Sequence, residues 1–90
     1  MKASVVYKNH EIVLDRTVTK TALYIDGIEV DHEIGIFERD KNRIYRGCIE
    51  NDDGALESVS VEFICGFPKN VMNTVTFKVD DKLISKTEVL

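Results

Sequence analysis

Two histidine–glutamate neighbours, two cysteines, a carboxylate-rich loop and a short basic stretch are the residues whose types could do chemistry. His10-Glu11 and His32-Glu33 each set an imidazole beside a carboxylate, the pieces of a metal site or an acid–base pair. Neighbours along a strand point to opposite faces, so neither pair converges on one ion by itself. Two histidines from separate hairpins plus a thiol could share a zinc ion, but their spacing matches no zinc module, and they read as turn and edge residues. Glu50 followed by Asn51-Asp-Asp-Gly54 gathers oxygens as a calcium loop does. It lacks the alternating ligands and the distal bidentate glutamate of an EF-hand, and turn chemistry accounts for its composition. Cys48 and Cys65 form no Cys-x-x-Cys pair and have no basic residue adjacent in sequence, so they read as small buried apolar residues. There is no nucleophile elbow and no glycine loop that would cradle phosphate. Neither enzymatic activity nor a cofactor or metal is expected.

The basic stretch is the remaining candidate. Arg39, Lys41, Arg43 and Arg46 flank Tyr45 within eight residues that hold one acid, Asp40, a local balance of +3. Cations beside an aromatic on a strand suit single-stranded nucleic acid, and small β-barrels bind oligonucleotides. The whole chain, however, is acidic, with a net charge of −4. Such a chain has no general attraction for nucleic acid or anionic lipid, which makes nucleic acid the lesser reading. Arginine and tyrosine are also enriched at protein–protein hot spots. The expected binding residues are therefore Arg39, Lys41, Arg43, Tyr45 and Arg46, with Tyr45 as anchor.

These side chains must be positioned by strands. Asp26-Gly27 sits between two runs of strand-forming residues, and Asp-Gly suits a two-residue hairpin turn because both positions need a positive φ. In that register Ile25 faces Ile28, Tyr24 faces Glu29 and Leu23 faces Val30, which puts Leu23, Ile25, Ile28 and Val30 on one core face. An earlier hairpin, Ala3 to Lys8 and Glu11 to Arg16, turns near Asn9-His10 and pairs Lys8 with Glu11 and Tyr7 with Ile12. Arg16 to Thr21 is strand extension or connection. The second strand of the Asp26-Gly27 hairpin runs on toward Phe37, interrupted at Gly35, where a bulge or bend is expected. Asp40-Lys-Asn42 is a turn. Arg43 to Glu50 forms a strand with Ile44, Arg46 and Cys48 on one face and Tyr45, Gly47 and Ile49 on the other. Val59, Val61, Phe63 and Cys65 alternate with Ser58, Ser60, Glu62 and Ile64. A helix from Ala55 competes there, but strict alternation decides for a strand. Gly66-Phe-Pro-Lys-Asn70 stops it, and Thr74 to Val79 turns at Asp80-Asp81 into Leu83 to Val89.

About eight strands joined by short turns, with no helical stretch, give an all-β chain, a single antiparallel sandwich or partly open barrel. Tyr24-Ile-Asp-Gly-Ile-Glu-Val30 and Phe77-Lys-Val-Asp-Asp-Lys-Leu83 echo one another as strand, acidic turn, strand, a likeness the limited vocabulary of hairpins accounts for. Leu23 to Val30, with the closing Thr76-Phe-Lys-Val-Asp-Asp-Lys-Leu-Ile84, resembles the hairpin units of the Fas apoptotic inhibitory molecule family. The resemblance covers about a quarter of the chain. It implies a β-sandwich and brings no catalytic residues with it.

At 90 residues the chain has room for one domain, and 43% apolar residues suffice for a core without staples. Two cysteines are fewer than a small secreted scaffold carries, and no leader-like or membrane-spanning apolar run is present. A cytoplasmic protein with reduced thiols is the default, although two cysteines on neighbouring strands could also bridge. The functional expectation is a non-enzymatic protein-interaction or assembly module for an unidentified protein partner, with a homodimer through an edge strand as one form and no membrane. The alternative is a single-stranded nucleic-acid-binding barrel using the Arg39–Arg46 strand.

Overall fold

The computed structural model describes residues 1–35, 42–66, 69 and 71–90. Among them the chain forms eight strands and no helix: β1 (Lys2–Tyr7), β2 (His10–Arg16), β3 (Lys20–Ile25), β4 (Ile28–Ile34), β5 (Arg43–Glu50), β6 (Leu56–Ile64), β7 (Asn73–Val79) and β8 (Lys82–Val89). The strands make two antiparallel meanders, β1-β2-β3-β4 and β5-β6-β7-β8, each contiguous in sequence. The sheets do not close into a barrel. They form a small sandwich in which β5 lies against β3 and β4, and β1 against β8. None of the described residues builds a helix long and apolar enough to cross a membrane.

Three hairpins use two-residue turns with both φ angles positive: Lys8-Asn9 (46° and 66°), Asp26-Gly27 (52° and 81°) and Asp80-Asp81 (49° and 64°). Turns of this hand match the twist of the strands they join. The first of them sits one residue earlier than expected. Tyr7 pairs with His10 and Val5 with Ile12, so Lys8 belongs to the turn and does not face Glu11.

The second correction falls on the Asp26-Gly27 hairpin. Ile25 faces Ile28 and Tyr24 faces Glu29 as expected, but Leu23 pairs with Asp31, because Val30 is an extra residue bulged out of β4. A bulge turns every later side chain to the other face. Leu23 and Ile25 are buried, whereas Ile28 and Val30 stay 68% and 42% exposed, so the expected four-residue core face is only half present. The residues carried inward in their place are Asp31 and Glu33.

The two meanders share one wiring scheme. Ala3-Leu14-Leu23-Asp31 form a row across the first sheet, and Tyr45-Val61-Phe77-Ser85 form the matching row across the second. The next row is Val5-Ile12-Ile25 in one sheet and Gly47-Val59-Val79 in the other. The bulge recurs as well, since Ile84 is skipped in β8 at the position Val30 occupies in β4. A turn aspartate then clamps the neighbouring strand in each sheet. Asp26 accepts from the Glu11 amide and donates its own amide to the Glu11 carbonyl, and Asp80 does the same with Ser58. The inward side chains of both sheets interleave into one core, within which Ile12, Leu14, Leu23, Val61, Val75 and Phe77 are fully shielded from solvent.

Candidate functional site

Strand β5 carries Arg43, Tyr45 and Arg46 of the sequence-predicted binding residues, and its pleat separates Tyr45 from Arg46. Arg39 and Lys41 lie outside the described residues. Tyr45 points into the core and is 4% exposed. Burial pushes its phenol upward, against a hydrogen bond with Thr21 that lowers it. A side chain in that position packs the sandwich and does not anchor a partner. Arg46, one residue on, is exposed on the outer face.

Arg43 is held at the corner where β4 meets β5. Its Nη1 donates to Glu33 Oε2 at 2.7 Å and to the His32 carbonyl at 3.1 Å, and its Nη2 donates to Asp31 Oδ1 at 3.2 Å. The guanidinium also lies 4.6 Å from the Tyr45 ring centre, a cation–π distance. Burial alone would lower its pKa, but the Glu33 hydrogen bond and the fields of Asp31 and Glu33 outweigh it and leave it raised. The second Asp31 oxygen accepts from the Arg46 amide at 3.0 Å, capping an edge donor of β5 that has no strand partner on that side. Bulge, carboxylates and arginine are thus one device. Val30 shifts the register, Asp31 and Glu33 turn inward, and Arg43 pairs with both.

The same corner explains Gly47. A Cβ there would stand 2.9 Å from Ile25 Cδ1 and 2.9 Å from Val30 Cγ2, closer than any real contact. The bulged Val30 therefore packs over bare β5 backbone.

At the opposite end of the sandwich a second polar cluster forms that no sequence pattern announces. Glu57, on β6, accepts from Lys8 Nζ at 2.8 Å, from Asn51 Nδ2 at 2.6 Å and from the Tyr7 hydroxyl at 2.9 Å. Lys8, Asn51 and Tyr7 hydrogen bonds, with Lys8 the strongest, overcome burial and hold its carboxyl at about 2. The cluster ties the β1–β2 turn of one sheet to the β5–β6 loop of the other. Its partners come from separate strands and turns, so only the packing of the sheets brings them together.

Beside it His10 Nδ1 stands 2.6 Å from Asp26 Oδ2. His32 lies on the other side of the first sheet's turn, 3.4 Å from Glu29, which also pairs with Lys20. The two histidines do not meet each other or a thiol, and among the described residues no three metal-ligating side chains converge. In the Asn51–Gly54 loop the Gly54 amide donates to the Asn51 carbonyl and Asp53 accepts from the Ala55 amide, so at least one carboxylate is spent on the turn. Cys48 and Cys65 are free thiols, Cys48 exposed and Cys65 partly buried. Cys48 therefore departs from the expected buried position, because β5 turns it to the outer face with Arg46. A hollow of about 290 Å³ on the second sheet is lined by Arg46, Gly47, Ser58, Val59, Ser60, Asp80 and Asp81, with polar and apolar surface in near-equal parts.

Large apolar side chains are exposed at both ends of the sandwich, and at the hairpin-turn end Val6, Ile28, Leu56 and Leu83 are 69%, 68%, 67% and 60% exposed. The end of the sandwich that holds the β2–β3, β4–β5 and β6–β7 connections carries Val18, Ile34, Val71 and Leu90, exposed by 72%, 73%, 80% and 79%. Ile64 joins them at 36%. No protein-family model, no curated protein and no solved structure matches the chain.

Proposed function

We propose that the protein is a non-enzymatic interaction module that binds a protein partner through the connection end of its sandwich. The observation that carries this reading is that the four most exposed large apolar side chains among the described residues, Val18, Ile34, Val71 and Leu90, all lie at this end. Exposed aliphatic residues gathered at one end are what a partner's apolar surface covers. The sheet edges are less available than an open sandwich suggests, because β4 lies beside β5 and β1 beside β8. Assembly through the end therefore takes precedence over assembly through an edge strand. Free thiols at Cys48 and Cys65 fit a reducing compartment such as the cytoplasm. The oligonucleotide reading loses its stacking platform, since Tyr45 is buried and Arg43 is committed to Asp31 and Glu33.

The test pairs the parent with Ile34→Lys/Val71→Lys. Both positions are exposed, so the double variant is expected to keep the thermal stability of the parent. Proteins that co-purify with the parent, or parent dimers seen by sedimentation, should be lost from the variant. An unchanged set of partners and an unchanged sedimentation profile would remove this end as the binding surface.

A further inference from the structure

We propose that the partner at the connection end is a second copy of this chain, held by exchange, with β1–β4 of each copy packed on β5–β8 of the other. The proposal rests on that end being the binding surface, and it names what binds there. Every backbone ladder lies within one meander, because β1-β2-β3-β4 and β5-β6-β7-β8 are separate sheets. Among the described residues the backbone hydrogen bonds outside the ladders also stay within one meander, as in Arg16–Met1 and Gly35–Thr19 of the first and Asn51–Ala55 and Asp80–Ser58 of the second. What joins the sheets is contact made by side chains. They share one core, Arg43 pairs with Asp31 and Glu33, Asp31 caps the Arg46 amide, and Glu57 takes Tyr7 and Lys8. The Arg16 guanidinium of β2 also lies 4.3 Å from the centre of the Phe63 ring of β6. None of these contacts needs both halves to belong to one chain. The covalent link between the sheets runs from β4 to β5, at the connection end.

The two meanders are related by a pseudo-two-fold axis along the strands. β1 and β5 both start at the connection end, and β4 sits against β5 as β8 sits against β1. The bulges at Val30 and Ile84 and the clamps at Asp26 and Asp80 correspond in the same way. The axis emerges at the connection end. Around it Val18 and Val71 come from the matching β2–β3 and β6–β7 connections, and Ile34 and Leu90 from the matching ends of β4 and β8. A second copy set end to end lays the same four aliphatic side chains against these, a self-complementary contact. Size decides between docked ends and exchange. Two layers of four strands, at ordinary spacings, account for the 23 and 16 Å extents of the molecule. An end-on contact therefore covers about 400 Å² on each copy, half of the ~800 Å² per partner of a stable interface. Docked ends alone hold weakly. Exchange adds the whole core between the sheets to what holds the copies together, using contacts the single chain already makes.

The test mixes isotope-labelled and unlabelled parent chains, unfolds them together in urea and refolds them at about 1 mM, where even weak association is populated. Native mass spectrometry is expected to find dimers, including mixed ones. In the mixed dimers, isotope-filtered NOEs between chains should link the Ile25 δ-methyl to the Gly47 α-protons and Arg16 to the Phe63 ring, contacts that stay within one chain unless the halves are exchanged. Reversed charges give a second readout. Arg43→Glu and Asp31→Lys/Glu33→Lys each leave like charges at the β4–β5 corner, so each alone should melt below the parent. Refolded together they should form a heterodimer that melts above both, because exchange sets each half against its complement. Dimers without the interchain NOEs, or a mixture that melts as the sum of its two components, would overturn exchange. A parent that stays monomeric at that concentration would overturn it as well. The surface itself then still stands if Ile34→Lys/Val71→Lys loses the proteins that co-purify with the parent, so the two readings fail separately.

Discussion

The two sheets follow the same plan and are filled differently. Each is a four-strand meander with a bulge on its last strand and an aspartate clamp at its last turn. In the matching core rows, however, the second sheet places Tyr45 and Phe77 where the first has Ala3 and Leu23. One sheet supplies bulk and the other makes room for it, which is how facing layers interleave at interior density. The two corners differ in kind as well. At β4–β5 the contact is a glycine under a bulged valine, framed by Arg43 with Asp31 and Glu33. At β8–β1 the positions that match by register are Val5 and Ile84, with Met1, Ser85 and Thr87 where the other corner is ionic. Identical backbone plans thus tolerate an apolar corner and a charged one, provided each closes its own polar groups.

That asymmetry can be broken most strongly in the core. Phe77→Ala removes the larger of two equivalent side chains and should cost about 3–5 kcal/mol, against about 2–5 kcal/mol for Leu23→Ala, with Phe77 the worse. Urea unfolding of both variants checks the order, and equal costs would mean that the bulk on the second sheet is not where the core depends on it. Next in size is the corner. Gly47→Val should cost about 1–3 kcal/mol through overpacking against Ile25 and Val30. Val5→Gly, at the matching place, should cost about 1–2 kcal/mol for the opposite reason, lost apolar contact and a looser strand. Carrying both changes should not restore the parent's melting temperature, because each corner is fitted to its own partner; recovery would show the corners to be interchangeable. The smallest effect is confined to acid. Glu57 is lowered to about 2, chiefly by Lys8 and Asn51, so its share of stability is present above the ordinary glutamate value and is lost as pH falls through about 2. Glu57→Gln should flatten the acid side of the stability curve between those values and leave the alkaline side as it was. An acid limb identical to the parent's would show that the cluster does not join the sheets energetically.

The chain alone determined a good deal. Val59, Val61 and Phe63 alternate strictly and are buried as alternation requires, and Asp26-Gly27 and Asp80-Asp81 form the turns their chemistry favours. Arg43–Glu50 is a strand with Tyr45 and Ile49 facing inward. These features are local: period-two patterning and positive-φ turn residues act within a few residues of chain, so they can be read from it. The bulge at Val30 could not be read this way. An unbroken Leu23–Val30 pairing satisfies the apolar pattern equally well, and what favours the bulge is the meeting of Asp31 and Glu33 with Arg43 on a strand from the other sheet. The fate of the basic stretch was decided at the same place, because Arg43 looks free until its carboxylates arrive. The Glu57 cluster likewise draws partners from opposite sheets. Such groups lie far apart in sequence, and only the packing of one meander on the other makes them neighbours.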